Sequence, residues 1–461
     1  MTAPLTLYLA NTLRSTLKYS MVTILIGSIA SCSKIIGTKK AAELQITERL
    51  NEELEKNRKY DSKFTFDPEN FEKSINMSVL NNAEYLSAVA FEQESIAAIG
   101  IMNSITKPQI LGDALLGFFI DGADGIEVNE GISAEISVSQ LVYDGGSSTS
   151  KIAKSTLKAA RASLERLEAA NASALLAANS WNRLWESSER LKWLNNKTRI
   201  VEEIVTKIDW MASGGFSDKS TVQLAEREII NLALKNSRLE GELTSNQLVF
   251  YQYFKSRPKN VPEPINLSFD KHLPETNWKS FTIVKKSTID LLLAESTREV
   301  AKAAYSPIIS FNSSLSSPRS GGNQPEGNLG LVLKYTFGDG GFKDSELEVA
   351  EARVNGLQSK LEQSKTNSRN QVRTDRARLE TIERNLILLQ GKISLLEAEL
   401  ETLRSQLTTG QATLSKLVTM EMEHFETVDQ IIQLKSEKHS IYFNSLSQAG
   451  KLGELTGLKY K

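Results

Sequence analysis

The 461-residue sequence contains one cysteine, three histidines and ten prolines. A single cysteine excludes an intrachain disulfide framework, and His272, His424 and His439 lie too far apart in sequence to suggest a histidine-rich metal site. Neither sign of charge dominates: 55 Lys and Arg face 56 Asp and Glu, so no global field favours nucleic acid. Nothing after Cys32 reaches 18 consecutive apolar residues, which excludes a transmembrane helix from that part of the chain. If that part crosses a bilayer, it must do so within a closed β-barrel. The few prolines, with aromatics at 7%, suit long unbroken helices. Catalytic signatures are missing as well. There is no Ser-His-Asp set and no Cys/His cluster, and Gly338-Asp339-Gly340-Gly341-Phe342 lacks the Lys-Ser/Thr of a phosphate-binding loop. Neither an enzyme nor a cofactor is expected.

The lone cysteine carries information through its neighbours. Arg14 and Lys18 precede the largely apolar stretch Met21 to Ile29, and Ala30 and Ser31 lead into Cys32. A basic region, a short apolar run and small residues form a secretory signal. Nine helical residues rise only about 14 Å, far short of a ~30 Å hydrocarbon core, so the run is not a span. Ile29-Ala30-Ser31-Cys32 resembles a bacterial lipobox. The resemblance implies a signal over residues 1–31, a lipidated Cys32 and, with Ser33 next, sorting to the outer membrane. Residues 32–77, rich in Glu, Lys and Asn, are expected to form a tether.

The rest of the chain is written twice. Lys107-Pro108 is matched by Ser306-Pro307 at an offset of 199, and Tyr143-Asp144-Gly145-Gly146 by Gly338-Asp339-Gly340-Gly341 at 195. A helix break at Gly215 recurs at Gly410, again at 195. The repeats are placed at 78–256 and 287–461, with a proline-bearing link at 257–286. Each repeat predicts a helical segment (79–105; 287–305), two strands, an Asp-Gly-Gly corner and a very long helical hairpin (147–256; 342–455). The strands alternate with period two and are predicted at 108–119, 131–141, 307–315 and 329–337. Leu329, Leu331, Leu333, Tyr335 and Phe337 share one face, and Ile132, Ala134, Ile136 and Val138 likewise alternate with polar residues. Strands of about ten residues, apolar on one side, satisfy the needs of an outer-membrane barrel, although a half-buried soluble sheet alternates in the same way.

The helices are more decisive. Ser147 to Ala212 and Phe342 to Thr409 contain no proline, and each predicts a rod of about 100 Å. Leu386, Leu389, Ile393, Leu396, Leu400, Leu403 and Leu407 step by alternating threes and fours, which is a coiled-coil seam. Leu157, Ala160, Leu164, Leu167, Ala174, Ala178, Trp181 and Trp185 keep a similar register in the first half. Trp181, Trp185, Trp193 and Trp210 are expected to pack rather than to hold a cofactor. At the corners the paired glycines permit a sharp turn, with Ser147 and Ser148, or Asp344 and Ser345, available as helix caps.

Ser137 to Gly146 (SVSQLVYDGG) resembles the strand-to-helix signature of the TolC outer-membrane factor family, as does Tyr335-Thr336-Phe337-Gly338-Asp339-Gly340-Gly341. Gly214-Gly215-Phe216-Ser217-Asp218, followed by Thr221 to Glu226, and Gly410-Gln411-Ala412-Thr413 are similar to the family's two periplasmic tips. The resemblance covers residues 78–455. It implies a mainly α fold with a membrane β-barrel portion and a homotrimer giving four strands per subunit to a twelve-stranded barrel. It also implies a periplasmic adaptor and an inner-membrane transporter, ABC-type or proton-driven, as partners. The expected function is an export tunnel, for type I protein secretion on the look of Gln140 to Gly146, or for small-molecule efflux, since a lipid anchor is common among such members. A lipid-anchored coiled-coil scaffold is the rival of another class. The family carries two acidic residues after the second tip glycine, where this chain has Lys416 and Thr419. The pore constriction is therefore assigned to Asp218, Lys416 and Thr419, with Glu421 and Glu423 as substitute acids.

Overall fold

The computed structural model describes residues 66–121, 127–214, 219–264, 275–317, 325–408 and 411–455. The signal, Cys32, Gly215, Phe216, Ser217, Asp218, His272 and Gly410 lie outside the described residues. The elements run α1 (Phe71–Leu80), α2 (Ala83–Ser104), β1 (Gln109–Asp121), β2 (Glu127–Tyr143), α3 (Ser147–Ser213) and α4 (Lys219–Phe254). After a 3₁₀ turn (Glu275–Ser280) come α5 (Thr282–Ala303), β3 (Ile308–Ser316), β4 (Glu326–Lys334), α6 (Phe342–Thr408), α7 (Leu414–Gln448) and the short α8 (Leu452–Leu455).

The two 67-residue helices, α3 and α6, form because nothing in them breaks the ladder and a hydrophobic seam gives each a partner. α4 folds back on α3 and α7 on α6. Leu396, Leu400 and Leu403 are buried with Leu194, Val201, Leu417 and Phe425, so the leucine seam lies where its spacing puts it. A second cluster surrounds the fully buried Trp181, with Phe71, Phe250, Phe254 and Phe443. At about 1.5–3 kcal/mol for each large apolar side chain, these two clusters supply most of the helical stability.

Several expectations are corrected. In the first-half seam Ala174, Ala178, Trp181 and Trp185 are buried, but Ala160 is exposed. The ring of Phe254, the last residue of α4, already lies 5.8 Å from that of Trp181, so the earlier part of α3 has run past its hairpin partner. Trp210 is 77% exposed, because Ile208 takes the seam position at that end of α3. Packing also starts before residue 78: Phe71 and Ile75 of α1 are buried in the Trp181 cluster, and the Asn70 side chain caps α1 by accepting from Lys73 N. α5 starts at Thr282 rather than 287, with Thr282 and Val284 buried, which shortens the link between repeats. The link is packed as well, since Trp181 Nε1 donates to the Pro262 carbonyl at 2.9 Å.

The strands form one antiparallel sheet in the order β1-β2-β3-β4, with β1 and β4 at its open edges. β4 ends at Lys334, three residues short of the predicted Phe337. Its neighbour β3 starts at Ile308, directly opposite Lys334, so Tyr335 to Phe337 have no strand beside them.

Candidate functional site

The sheet register sorts the side chains into two unlike faces. Ile110, Ala114 and Leu116 lie opposite Val138, Ala134 and Ile132, and Ile136 lies opposite Leu315. Phe311 lies opposite Leu331, and Ile309 opposite Leu333. Directly paired residues share a face, so a mainly apolar surface, interrupted by Gln140 and Ser313, runs across all four strands. The other face is mainly polar, with Asp113, Glu135, Ser137, Ser139, Asn312, Ser314 and Asn328, and also carries Leu111, Leu115, Leu141 and Val332. The apolar face is bare: Leu116 is 79% exposed and Leu329 75%. In water such a surface would be a liability, whereas hydrocarbon accepts it.

At the end of this sheet the two corners are built alike. Gly145 and Gly146 have φ of 65° and 89°, and Gly340 and Gly341 have φ of 67° and 87°, a left-handed pair that favours glycine. Asp144 accepts from Gly146 N at 3.2 Å and from Ser148 N at 2.7 Å, as well as from the Ser148 hydroxyl. Asp339 accepts from Gly341 N at 3.1 Å and from Lys343 N at 3.2 Å. The corner aspartates, not the serines or Asp344, therefore satisfy the first amides of the long helices. Asp344 instead accepts from the Tyr305 hydroxyl at 2.5 Å, and that bond pushes the phenol up to about 12. The corners differ in one respect. A Cβ on Gly145 would stand 2.3 Å from the Ser306 Cβ, whereas one on Gly340 would meet nothing within 4 Å.

The described parts of the tips are small and capped. Thr413 caps α7 by accepting from Lys416 N at 3.3 Å, and Gln411 N donates to the Gln406 carbonyl at 3.0 Å. Ala412 packs against the leucine cluster, and Gly214 caps the end of α3. Lys416 is exposed, with its ammonium 3.7 Å from Glu399, and Thr419 is exposed with its hydroxyl donating to the Ser415 carbonyl.

Glu421, read from sequence as a substitute acid, is fully buried. It takes the buried Lys197 ammonium of α3 on one oxygen and Arg404 of α6, at 2.6 Å, on the other. It joins three helices and is not at a pore surface. Glu423 is half-exposed and paired with Lys392 at 2.9 Å. Beside this cluster His424 is buried, its Nε2 3.6 Å from Glu397 and its Nδ1 without a hydrogen-bond partner. Burial, aided by the Lys197 charge, lowers its pKa below the ordinary 6.5. Higher on α3, Arg190 grips Asp429 at 2.6 and 3.2 Å, and Asn182 donates to Ser436 and Ser440 of α7. Sequence reading missed these buried and partly buried ion pairs, since only the packing of α3 on α7 brings residues more than 200 apart together.

Among the described residues no helix is long and apolar enough to cross a membrane, and no acidic, histidine or cysteine cluster could hold a metal.

No family model and no curated protein matches the sequence. Solved structures do match. CusC, described for its transmembrane channel formation, superposes with a TM-score of 0.72 at 15% identity, over 86% of this chain and 95% of that one. The outer membrane protein VceC of Vibrio cholerae gives 0.73 at 12% identity, over 82% and 96%. The outer membrane channel CmeC of Campylobacter jejuni gives 0.66 at 15%, over 83% and 85%.

Proposed function

We propose that this chain, whose fold is that of the TolC-family outer-membrane channels, is the outer-membrane tunnel of a tripartite export machine. The observation that carries the reading is the four-stranded sheet, mainly apolar on one face and open at both edges, which continues through matched Asp-Gly-Gly corners into two long hairpins. Four strands cannot close a barrel, and open edges in lipid leave backbone groups unpaired, so subunits share the barrel. A homotrimer closes it at about twelve strands, a size that leaves a usable bore. The apolar face meets outer-membrane lipid and the polar face lines the passage. The hairpins extend into the periplasm, where the tips at 214–218 and 410–413 meet a periplasmic adaptor. An inner-membrane ABC or proton-driven transporter supplies the energy, and the duct itself performs no catalysis. A lipid on Cys32 adds an anchor.

The cargo we assign is protein, through a type I secretion system, on the resemblance of Gln140 to Gly146 to that branch. Small-molecule efflux is the second reading, favoured by the lipobox at Cys32. Purified protein in planar bilayers tests the duct: stepwise conductance is expected, and a bilayer that stays silent would leave only a coiled-coil scaffold. Deletion of the gene in its host separates the cargoes. Loss of a large secreted protein supports the first, and sensitisation to small toxic compounds with secretion intact supports the second.

A further inference from the structure

Where α7 lies on α3, polar side chains fasten the two helices along much of their contact. Ser447 donates to the Asn171 carbonyl at 3.1 Å, Asn182 donates to Ser436 and Ser440, Arg190 grips Asp429, and Lys197 meets Glu421. The pair of Lys197 and Glu421 is the last of these before the tip. Among the described residues, the side-chain bonds of α3 beyond Lys197 stay within the helix: Arg199 with Glu203, Thr206 with the Glu202 carbonyl and Ser213 with the Asp209 carbonyl. From there on the helices share an apolar cluster, to which α3 gives Val201, Ile204 and Val205 and α7 gives Leu417 and Val418. The same stretch of α7 is held to its hairpin partner α6 by charge, through Lys416 with Glu399, Glu421 with Arg404 and Glu423 with Lys392.

His424 stands at this boundary, about one turn from Glu421 on α7. It is 5% exposed, its ring lies 6.4 Å from that of Trp193 on α3, and its Nε2 lies 3.6 Å from Glu397 on α6. Its Nδ1 is enclosed without a hydrogen-bond partner among the described residues. Packing does not require an imidazole here. At the 195 offset the first repeat has Ile229, partly buried against the same apolar cluster. A ring nitrogen left unpaired in such a place costs stability, so filling space is not its use. The charges around the ring divide by helix. Lys197 on α3 opposes a positive ring, whereas Glu397 on α6 and Glu421 on α7 favour one. Glu421 is already shared by Lys197 and Arg404, Glu423 pairs with Lys392, and on α4 Lys235 pairs with Glu426. Burial and Lys197 outweigh the carboxylates and keep the ring neutral below the ordinary histidine range.

We propose that His424 is a pH-sensitive catch, closed while its ring is neutral, whose protonation frees the tip end of the α6–α7 hairpin from α3 at the contact of Lys197 and Glu421. A proton on the ring has three effects. Nδ1 becomes a buried donor with no acceptor, a second cation stands beside Lys197, and the Nε2 contact with Glu397 strengthens. The first two part α7 from α3, and the third keeps it on α6. Separation admits water to Nδ1, while the contacts of Arg190 and Asn182 further from the tip stay closed. The catch belongs to a single chain, and only its effect on passage, a looser tunnel end at acid pH, rests on the tunnel proposed above. The closed form is fully favoured above about pH 6.5. Between there and the lower value of the closed form, uptake of one proton raises the ratio of freed to closed by up to about tenfold per pH unit.

Hydrogen exchange of the full-length protein in detergent, read by mass spectrometry from neutral to mildly acidic pH and corrected for the intrinsic rate, tests the catch. Peptides from 414–424, and from 198–208 on α3, are expected to gain exchange by up to that factor per pH unit, and peptides from 429–448 to hold constant. His424→Ile, which installs the residue of the other repeat, and His424→Gln should both lose the gain and keep their protection at neutral pH. His424→Lys should show the acid behaviour at neutral pH. In planar bilayers the unmodified protein should open more often at acid pH, and His424→Ile should not. A gain that spreads equally to 429–448, or that survives in both neutral variants, overturns the catch. So does flat exchange in a protein that conducts, which leaves the tunnel standing. Local acid-dependent exchange in a protein that never conducts upholds the catch and removes the tunnel.

Discussion

Asp144 and Asp339 each hold two amides at the start of a 67-residue helix, and each stands before two glycines in the left-handed region. Asp144→Ala or Asp339→Ala should cost about 1 kcal/mol as a lost cap, read by chemical denaturation. Gly145→Ala should cost more, since the ~1–2 kcal/mol of left-handed backbone adds to the clash with Ser306. In a dissociated chain Gly340→Ala should cost the backbone part alone. Deeper in the helices, removing the Glu421 carboxylate leaves the buried Lys197 ammonium facing only the half-exposed Arg404 side. Glu421→Ala should therefore destabilise by about 3–5 kcal/mol, and replacing Lys197 and Glu421 together with apolar residues should recover most of the loss. His424 makes stability depend on pH. Its pKa is below 6.5 when folded, so between the two values the unfolded chain binds more protons and stability rises with pH. Its contribution is full above about 6.5 and is lost as pH falls toward the folded value. Thermal melts from neutral to mildly acidic pH should show that slope, and His424→Gln should flatten it.

At the scale of elements, the sheet is tested by its two faces. Lys at Ile136 or Leu331, on the apolar face, should cost about 2–4 kcal/mol if that face meets lipid at mid-depth, and Lys at Ser137 should be mild. Equal tolerance on both faces, measured as folded protein recovered from membranes, would remove the barrel assignment. The hairpin tips are tested by bulk. In the proposed docking, backbone groups at the tips would meet the adaptor, and small residues would allow close approach. Gly215→Trp or Gly410→Trp should abolish export while the oligomer still assembles, and normal export from both variants would end the docking proposal.

For the whole molecule the question is what lines the passage. If the tip region narrows it, Lys416, exposed and only loosely held by Glu399, places one positive charge per subunit near the constriction. Lys416→Asp should then shift the reversal potential in a salt gradient toward cations. An unchanged potential would put Lys416 on the outer side of the helices. Mass spectrometry of the mature N-terminus tests the anchor: a lipid on Cys32 is expected, and Cys32→Ser should leave precursor or loosely held protein.

The sequence by itself determined whatever depends on near neighbours and period. The leucine spacing from Leu386 to Leu407 made α6 a seam helix, alternation from Ile132 to Val138 and from Leu329 to Leu333 made strands, and paired glycines at a common offset made corners. These are properties of three to four residues at a time, so they survive without knowledge of what they pack against. Packing decided the rest. Trp181 and Trp210 share a helix and a residue type, yet one is fully buried and the other 77% exposed, because only the first meets the end of a returning helix. Glu421 and Glu423 look alike in sequence, but one lies between three helices and the other at the surface. Tyr335 to Phe337 have the alternation of a strand and are none, since a strand needs a neighbour to take its hydrogen bonds, and β3 begins too late to provide one.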